Sequence, residues 1–338
     1  MSECASGAAS DVRRCASIGG QTCWIHDEGH RAGFFHTFDA LDIEAPGAER
    51  RPRKLHVFLP RDYEAHAKRY PVLYMNDGQT AFFTDNPFRK TWDVAGILSD
   101  ARASREIPEV IVVAVHPIVR DFEYTHAPWA PGRPCCGVER YATYLTTRLL
   151  PFIDATYRTI PTRQGRGLLG SSHGGLAAFW VAVGAGDLFG AVAAMSPSFW
   201  VGLDSTPTES IRSLSSTPLK SSALYAHARR NLASPTHPRP RIWIDWGLER
   251  SGGPHNEVTE ALAAVRGKEM AELLQEDFGY AFADGHGHGD GDGDCRQLVA
   301  HAVPSGGHDE DSWRQQVPNV LRWMFAGTDE MPVSNGFR

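Results

Sequence analysis

The chain has no apolar run of about 18 residues, so no segment reaches the length that a membrane-spanning helix requires. Lysine and arginine form no block, and the formal net charge is -6 over 338 residues. This balance argues against a general binder of nucleic acid or of anionic membranes. No internal repeat occurs. The composition, 42% hydrophobic and 22% charged, is sufficient for a sizeable buried core.

Cysteine is scarce, with 6 residues in the whole chain. An even number could form a disulfide framework in a small secreted protein, but this chain is neither small nor rich in cysteine. We therefore expect mostly free thiols and a cytoplasmic location. Adjacent Cys135 and Cys136 lack the spacing of metal ligands, and we expect neither a metal ion nor an organic cofactor.

The segment Gly170–Gly175, which reads Gly-Ser-Ser-His-Gly-Gly, carries the most informative local motif. A short apolar run precedes it, and 176–183, rich in helix-forming residues, follows it. Strand, tight turn and helix are the context of a nucleophile elbow, in which glycines allow the sharp turn that exposes the serine hydroxyl. The motif therefore predicts Ser172 as a nucleophile.

Apolar and amphipathic runs alternate along the rest of the chain. Continuous apolar runs are typical of strands buried on both faces of a parallel sheet. The alternation predicts an α/β fold with a doubly wound, mostly parallel sheet and helices on both faces. The expected strands are 33–38, 54–60, 70–75, 110–115, 167–169, 190–197, 241–247 and 296–303, and the expected helices are 92–98, 139–155, 176–183, 223–232, 256–278 and 309–325.

We expect one domain, 23–328, between a flexible N-terminal tail, 1–22, and a C-terminal tail, 329–338. The first residues lack the contiguous apolar stretch of a secretory signal. Within the domain, the polar segment 198–240 is expected to form a lid or pocket wall above the sheet. The Gly/Asp/His-rich tract 284–294 resembles a calcium loop but lacks the terminal glutamate of an EF-hand, which favours a solvated hairpin tip.

A serine nucleophile requires a base, and the base requires an acid that orients it. His308 follows the last predicted strand in a Gly-Gly-His loop, as expected for the base of an elbow serine such as Ser172. For the acid, Glu249 in the loop after the preceding strand is favoured. Asp245, inside that strand, and Glu257, at the start of the next helix, stay open as alternatives.

Two backbone N–H groups are expected to form an oxyanion hole. One is the N–H of His173, which follows the nucleophile, and the other is the N–H of Gln79, in the loop after an early strand. Arg120 and Glu123 are expected to form a structural ion pair. Residues expected to line a substrate pocket at the carboxyl edge of the sheet are Asp77, Phe82, Trp129 and Trp200.

Five segments of the chain form an ordered pattern: 70–79, 150–157, 170–175, 196–200 and 306–308 with Trp313. This pattern resembles the putative-esterase family of α/β-hydrolases, which includes enterochelin and siderophore esterases, feruloyl and acetylxylan esterases, S-formylglutathione hydrolase and mycolyltransferases. The resemblance covers roughly 53–325 and implies an α/β-hydrolase fold with Ser172, His308 and Glu249 as catalytic residues. Position 173 departs from the pattern, because the family more often has Leu or Met there.

The resulting hypothesis is a serine carboxylic ester hydrolase that forms an acyl-enzyme on Ser172. The substrate of this enzyme would be a small or medium ester, such as a siderophore or an aromatic-acyl ester. We expect the protein to bind neither nucleic acid nor membrane. An acyltransferase or a thioesterase could use the same residues, and a non-catalytic ligand-binding protein could keep the same fold. The natural acyl and alcohol groups and the oligomeric state are left open.

Overall fold

Alternate residues of the central apolar strands face opposite sides of the sheet, and both sides are buried. In the strand Val72–Met75, Val72 and Tyr74 belong to one hydrophobic cluster, whereas Leu73 and Met75 belong to another. A strand that is covered on both faces must be apolar at every position. The continuous apolar runs of the sequence are therefore the strands in the middle of a layered structure.

The computed structural model describes residues 13–325 except 46, 48, 88, 105–106, 205–215, 235 and 284–296. The predicted C-terminal tail and the Gly/Asp/His-rich tract 284–294 lie outside these residues. Eleven strands occur in the described part. Their bounds are β1 Arg14–Ile18, β2 Gln21–His26, β3 Gly33–Leu41, β4 Arg53–Pro60, β5 Val72–Met75, β6 Ile111–Val115, β7 Arg166–Ser171, β8 Ala191–Met195, β9 Arg241–Gly247, β10 Ala281–Phe282 and β11 Gln297–Val303.

These strands form one sheet in the order β1-β2-β3-β4-β6-β5-β7-β8-β9-β11-β10. The pairs from β1 to β4, and β4 with β6, are antiparallel, and all pairs from β6 to β10 are parallel. The prediction of a mostly parallel α/β sheet is confirmed. Because parallel strands end at the same edge, the segments that follow β5, β7, β8, β9 and β11 meet there.

Helices cover both faces of the sheet. The larger hydrophobic cluster includes buried side chains of α5 to α8, and the smaller one includes those of α2 and α9. In the described residues, no helix combines the length and the apolar character needed to cross a membrane. The bounds are α1 Gly78–Ala81, α2 Val94–Ser104, α3 Arg120–Tyr124, α4 Val138–Tyr144, α5 Leu150–Thr156, α6 Ser172–Gly184, α7 Ala223–Leu232, α8 Ala261–Phe278 and α9 Glu310–Phe325, with π-helical Leu145–Leu149 and His255–Glu260 and 3-10 turns Tyr63–Ala65, Arg163–Gly165 and Leu219–Ser221.

The N-terminal hairpin was not expected from the sequence. The predicted tail 1–22 is wrong from Arg14 onward, because β1 pairs with β2 across a turn formed by Gly19 and Gly20. Both glycines have positive φ, 59° and 77°, which is the backbone of the two-residue turns that join hairpin strands. The Gly-Gly pair was thus an available signal for the hairpin turn. The strand itself gave no signal, because β1 is largely exposed and lacks apolar alternation.

The segment 198–240 was expected to form a lid or pocket wall, and its described parts do not behave as one unit. Trp200 is 1% exposed and lies beside His173 near the carboxyl edge. Further along, α7 packs against α6, where the rings of His227 and Trp180 stack with centroids 3.9 Å apart. The start of the segment therefore lies near the carboxyl edge and its helix belongs to the helical layer, while a lid or pocket wall stays a prediction.

The expectation of mostly free thiols is wrong for the described cysteines. Cys135 and Cys136 are joined by a disulfide, and Cys15 is also disulfide-bonded. Cys23 is a free thiol, and burial raises its pKa to about 12. Because disulfides persist mainly in oxidising compartments, these cysteines do not support the expected cytoplasmic location.

A buried ion pair joins the sheet to the helix α3. The guanidinium of Arg53, on β4, donates to both carboxylate oxygens of Glu123 at 2.8 and 2.7 Å. The same carboxylate accepts from the Ile118 N–H at 3.0 Å, and Arg53 also donates to the His116 carbonyl at 2.8 Å. The predicted pairing of Glu123 with Arg120 is wrong, because neighbours in sequence each bond to a distant partner.

We expect Glu123→Gln to lower the free energy of unfolding by about 3 kcal/mol, because it leaves the buried Arg53 charge without its counterion. Urea unfolding followed by circular dichroism measures this. The matched control is Glu272→Gln on α8, since the Lys268–Glu272 pair is 3.9 Å apart and both side chains are more than half exposed. That change should stay within about 0.5 kcal/mol. Equal effects of the two substitutions would contradict a structural role for the buried pair.

Candidate active site

The turn between β7 and α6 holds Ser172 in a strained backbone conformation. Its φ is 53°, in the left-handed region that costs a residue with a side chain about 1–2 kcal/mol. Two glycines make the turn possible, since a Cβ on Gly170 would lie 2.2 Å from the Gly174 carbonyl oxygen, and one on Gly174 would lie 2.8 Å from Asp77 Oδ2. The structure thus has the strand, sharp turn and helix that the motif predicts.

The structure brings His308 to Ser172. The Nε2 atom of His308 lies 2.9 Å from Ser172 Oγ, and the imidazole is buried. The loop that carries it is held by its backbone: the His308 N–H donates to Asn256 Oδ1 at 2.7 Å, and the Gly307 N–H donates to Ser312 Oγ at 2.8 Å. The ring therefore approaches the serine hydroxyl in a defined orientation.

The carboxylate that contacts His308 is that of Glu260. Its Oε2 lies 2.6 Å from His308 Nδ1, and the residue is 0% exposed. Its other oxygen accepts from Ser196 Oγ at 2.9 Å and from the Gly247 N–H. Glu260 ends the π-helical turn His255–Glu260, a geometry that is often found at functional sites.

The favoured acid, Glu249, does not reach His308, and this prediction is wrong. Its Oε1 accepts from the Arg250 N–H at 2.8 Å and from the N–H and hydroxyl of Ser251 at 2.7 Å each. These bonds lower the pKa of Glu249, chiefly those from Ser251. The exposed carboxylate therefore stabilises the turn of its own loop.

The two alternatives also lie elsewhere. Asp245 is inside β9, where its Oδ2 accepts from Trp243 Nε1 at 2.8 Å, and Glu257 is exposed, one turn before Glu260. A signal for Glu260 was present in the sequence. It shares the helical spacing of the buried residues that follow it in α8, and a carboxylate on an apolar stripe needs a partner. These stripe residues are Ala263, Gly267, Met270 and Leu274.

The charge of Glu260 affects the pKa of Asp245. Burial, with a smaller contribution from the charge of Glu260, raises the pKa of Asp245 to about 7, against the opposing effect of the Trp243 and Ser196 hydrogen bonds.

The two predicted oxyanion donors stand at equivalent positions in their helices. Gln79 is the second residue of α1 and His173 is the second residue of α6. The first N–H groups of a helix have no acceptor within that helix. The two turns are joined directly, because Asn76 Nδ2 donates to the Gly174 carbonyl at 2.8 Å.

Asp77 was expected to line a pocket, and the structure gives it a structural role at the start of α1. It has a left-handed backbone, with φ 57° and ψ 48°. Its carboxylate accepts from Arg120 Nε at 2.8 Å and Nη2 at 2.9 Å, and from Gln79 Nε2 at 3.0 Å. Arg120, predicted to pair with Glu123, thus holds the turn that carries Gln79.

Aromatic rings surround the residue after the nucleophile. The Trp129 ring meets the His173 ring edge-on at 4.7 Å between centroids, and the Trp200 ring lies 5.7 Å from it. Phe82, also predicted for the pocket, lies apart from them. It is 5% exposed and packs on Phe35, with centroids 5.0 Å apart, in the smaller hydrophobic cluster.

His173 itself is almost fully buried, at 4% exposure. Burial lowers its pKa well below the usual value, and the nearby guanidinium groups of Arg120 and Arg133 lower it further. Among the described residues, no group of three or more His, Cys, Asp or Glu side chains is arranged to hold a metal ion.

This arrangement has the geometry that activates a serine hydroxyl. An imidazole within hydrogen-bond distance of Ser172 Oγ can accept its proton, and the carboxylate of Glu260 on the other ring nitrogen orients the imidazole. The chemistry that such a set supports is acyl transfer through a serine.

The comparison with protein families agrees with this chemistry. The family model described as "Putative esterase" matches residues 48–324. The uncharacterized protein YbbA of Bacillus subtilis (strain 168) is 24% identical over 159 residues, which cover 44% of this chain and 58% of YbbA. Esterase Rv1288 of Mycobacterium tuberculosis (strain ATCC 25618 / H37Rv) is 35% identical over 126 residues, 37% of this chain and 24% of that protein. The match thus spans less than two thirds of either relative.

Solved structures confirm the α/β-hydrolase fold. A ferulic acid esterase superposes with a TM-score of 0.55 at 20% identity, covering 86% of this chain and 96% of that one. At this level of identity, the likeness bears on the fold alone.

We expect Asp245→Asn to change how stability depends on pH. A raised pKa means that the native protein keeps a proton that the unfolded chain releases, so this contribution to stability falls as pH rises from 3.8 through about 7. Urea unfolding at several pH values from 5 to 8 measures this. The free energy of unfolding of the variant, relative to that of the wild type, should increase by up to about 1.4 kcal/mol per pH unit. Asp100→Asn is the control, because its side chain is 85% exposed, and it should run parallel to the wild type. A parallel Asp245→Asn curve would refute the prediction.

Proposed function

The chain belongs to the Putative esterase family, and from this premise we propose that it is a serine esterase that hydrolyses carboxylic esters through an acyl-enzyme on Ser172. The observation that carries the proposal is the unbroken chain from Ser172 through His308 to Glu260. Its contacts are 2.9 Å from Ser172 Oγ to His308 Nε2 and 2.6 Å from His308 Nδ1 to Glu260 Oε2.

In the first step, His308 takes the hydroxyl proton of Ser172 while Oγ bonds to the ester carbonyl carbon. The tetrahedral intermediate then loses the alcohol, whose oxygen receives that proton from His308. In the second step, His308 takes a proton from water as the water oxygen attacks the acyl carbon, and the acid leaves as Ser172 regains its proton. Each step uses groups of this chain and water.

The negative oxygen of each intermediate would be held by the N–H groups of Gln79 and His173. Their support comes from the packing of the two turns. Arg120 holds Asp77 in its left-handed conformation, and Asn76 joins that turn to the elbow. Both donors are therefore fixed before substrate binds, which is what makes an oxyanion hole effective.

For the substrate, we propose a small or medium ester with an aromatic acyl or alcohol group. Trp129 and Trp200 lie beside His173, next to the nucleophile, and aromatic rings favour stacked or edge-on partners. A ferulic acid esterase among the structural neighbours, named for an aromatic acid, is compatible with this choice.

Substitution of Ser172 and Glu260 tests the mechanism. Ser172→Ala should lower kcat for p-nitrophenyl acetate at least a thousandfold and abolish labelling by a fluorophosphonate, because the attacking oxygen is gone. Glu260→Gln should lower kcat about a thousandfold, because His308 loses the carboxylate that orients it. Peptide mapping of the labelled wild type should find the phosphonyl group on Ser172.

The matched control is Glu249→Gln, which removes an exposed carboxylate after the same strand. It should keep kcat within about twofold, since surface changes away from the reacting groups have small effects. Label on a residue other than Ser172, or full activity of Ser172→Ala, would exclude the mechanism. A large loss of kcat in Glu249→Gln, together with an active Glu260→Gln, would identify Glu249 as the acid.

A proline at position 79 tests the proposed oxyanion donor. Proline lacks an N–H and is tolerated in the first turn of a helix, so Gln79→Pro removes the donor and leaves α1 in place. We expect kcat to fall about a hundredfold or more, with a smaller change in KM. Gln79→Ala keeps the backbone N–H and should retain most of the activity. Equal losses in both variants would show that the side chain, and not the N–H, is needed.

A further inference from the structure

Ser172 has a second hydroxyl neighbour in addition to His308. The Oγ of Ser198 lies 3.4 Å from Ser172 Oγ and 2.8 Å from His173 Nδ1. Ser198 is 0% exposed, and its backbone N–H donates to the Ser172 carbonyl at 3.0 Å. The three side chains therefore form a buried polar row that ends at the nucleophilic oxygen.

The two contacts of Ser198 can be donated in either direction, and one direction gives Ser172 Oγ a hydrogen-bond donor. Ser172 has one hydroxyl proton, which it donates to His308 Nε2. Ser198 can then bond to Ser172 Oγ only by donating its own proton. Its contact with His173 must in that case be donated by the Nδ1–H of the ring.

The surroundings of His173 suit a neutral ring with a fixed orientation. Trp129 and Trp200 pack against the imidazole, and it is almost fully buried. Burial lowers its pKa well below the usual value, so the ring adds no positive charge next to His308. A neutral ring carries one N–H, and the row of hydrogen bonds assigns it to Nδ1.

We propose that Ser198 stabilises negative charge on Ser172 Oγ during ester hydrolysis and that His173 is a positioning residue that orients the Ser198 hydroxyl. The proposal rests on the serine esterase function proposed above. When His308 takes the proton of Ser172, negative charge develops on Oγ before its electron pair forms the bond to the carbonyl carbon, and the Ser198 hydroxyl donates to the charged oxygen more strongly. Ser198 keeps its proton throughout. The negative charge returns to Oγ when the C–O bond breaks in deacylation, and the Ser198 hydroxyl acts again.

The proposal also gives a role to the unusual residue after the nucleophile. An apolar side chain at this position could not donate to Ser198, whose hydroxyl would then be free to rotate away from Ser172. His173 thus serves through its backbone N–H toward the oxyanion and through its ring toward the nucleophile.

The experiment measures the rate constant for phosphonylation of Ser172 by a fluorophosphonate, per labelled site, together with kcat and KM for p-nitrophenyl acetate. Ser198→Ala should lower the rate constant and kcat about tenfold, as expected for loss of one hydrogen bond to a developing charge. The labelled fraction and KM should be unchanged. His173→Leu should lower the same constants severalfold, and the double variant should be no slower than Ser198→Ala alone.

Ser99→Ala is the control, because Ser99 is a buried serine on α2 that bonds to the Ala32 N–H and the Ala95 carbonyl, away from Ser172. It should lower stability and leave the rate constant unchanged. A wild-type rate constant in Ser198→Ala, or losses that multiply in the double variant, would overturn the proposal. If Ser198→Ala does not fold, His173→Leu decides alone, and an unchanged rate constant there overturns it.

The two levels of the proposal fail in different ways. A wild-type protein that takes no label on Ser172 rejects the serine esterase function and this inference with it. A wild type labelled on Ser172, with variants that react at its rate, rejects only the role of Ser198 and His173.

Discussion

The buried carboxylate of Glu260 constrains the whole candidate site. A buried carboxylate is very costly unless donors surround it, and here they come from three separate parts of the chain. His308 Nδ1 comes from the loop after β11, the Ser196 hydroxyl from the segment after β8, and the Gly247 N–H from the end of β9. Trp313 Nε1 donates to the same Ser196 hydroxyl at 3.1 Å, which adds α9 to the network. The charge of one residue thus holds the carboxyl edge of the sheet together.

The second constraint is the pair of left-handed turns at Asp77 and Ser172. Each non-glycine residue in this region costs about 1–2 kcal/mol, and such strain persists only where the surroundings over-determine it. Arg120 holds one turn through two hydrogen bonds to Asp77, and Asn76 joins that turn to the carbonyl of Gly174. The same packing connects the turn that carries Ser172 to the turn that begins α1.

Much of the fold could be predicted from the sequence, because its signals are local. The strand Arg241–Gly247 and the helix Ala223–Leu232 have their predicted bounds, and the continuous apolar runs form the parallel part of the sheet. The N-terminal hairpin escaped prediction because β1 is mostly exposed and therefore lacks an apolar pattern. The cysteines escaped because Cys135 and Cys136 form a disulfide between neighbours rather than part of a long-range framework.

The candidate site was only partly predictable, and the errors share a cause. Glu249 and Glu260 are both glutamates after β9. Only the folded structure reveals that Glu249 accepts hydrogen bonds from its own loop, whereas Glu260 accepts them from three separate parts of the chain. Arg120 and Glu123 are close in sequence, yet their partners lie 43 and 70 residues away. Sequence proximity is a poor guide to ion pairs when the intervening chain is a compact fold.

The amino-acid sequence by itself determined the elbow around Ser172, the apolar strands and the position of His308 after the last long strand, because each depends on local backbone freedom or side-chain volume. The tertiary structure alone decided the acid at His308 and the row from His173 through Ser198 to Ser172. Those contacts arise where parallel strands end at a common edge, and the distances across that edge depend on how the strands are ordered in the sheet. No local pattern carries that order.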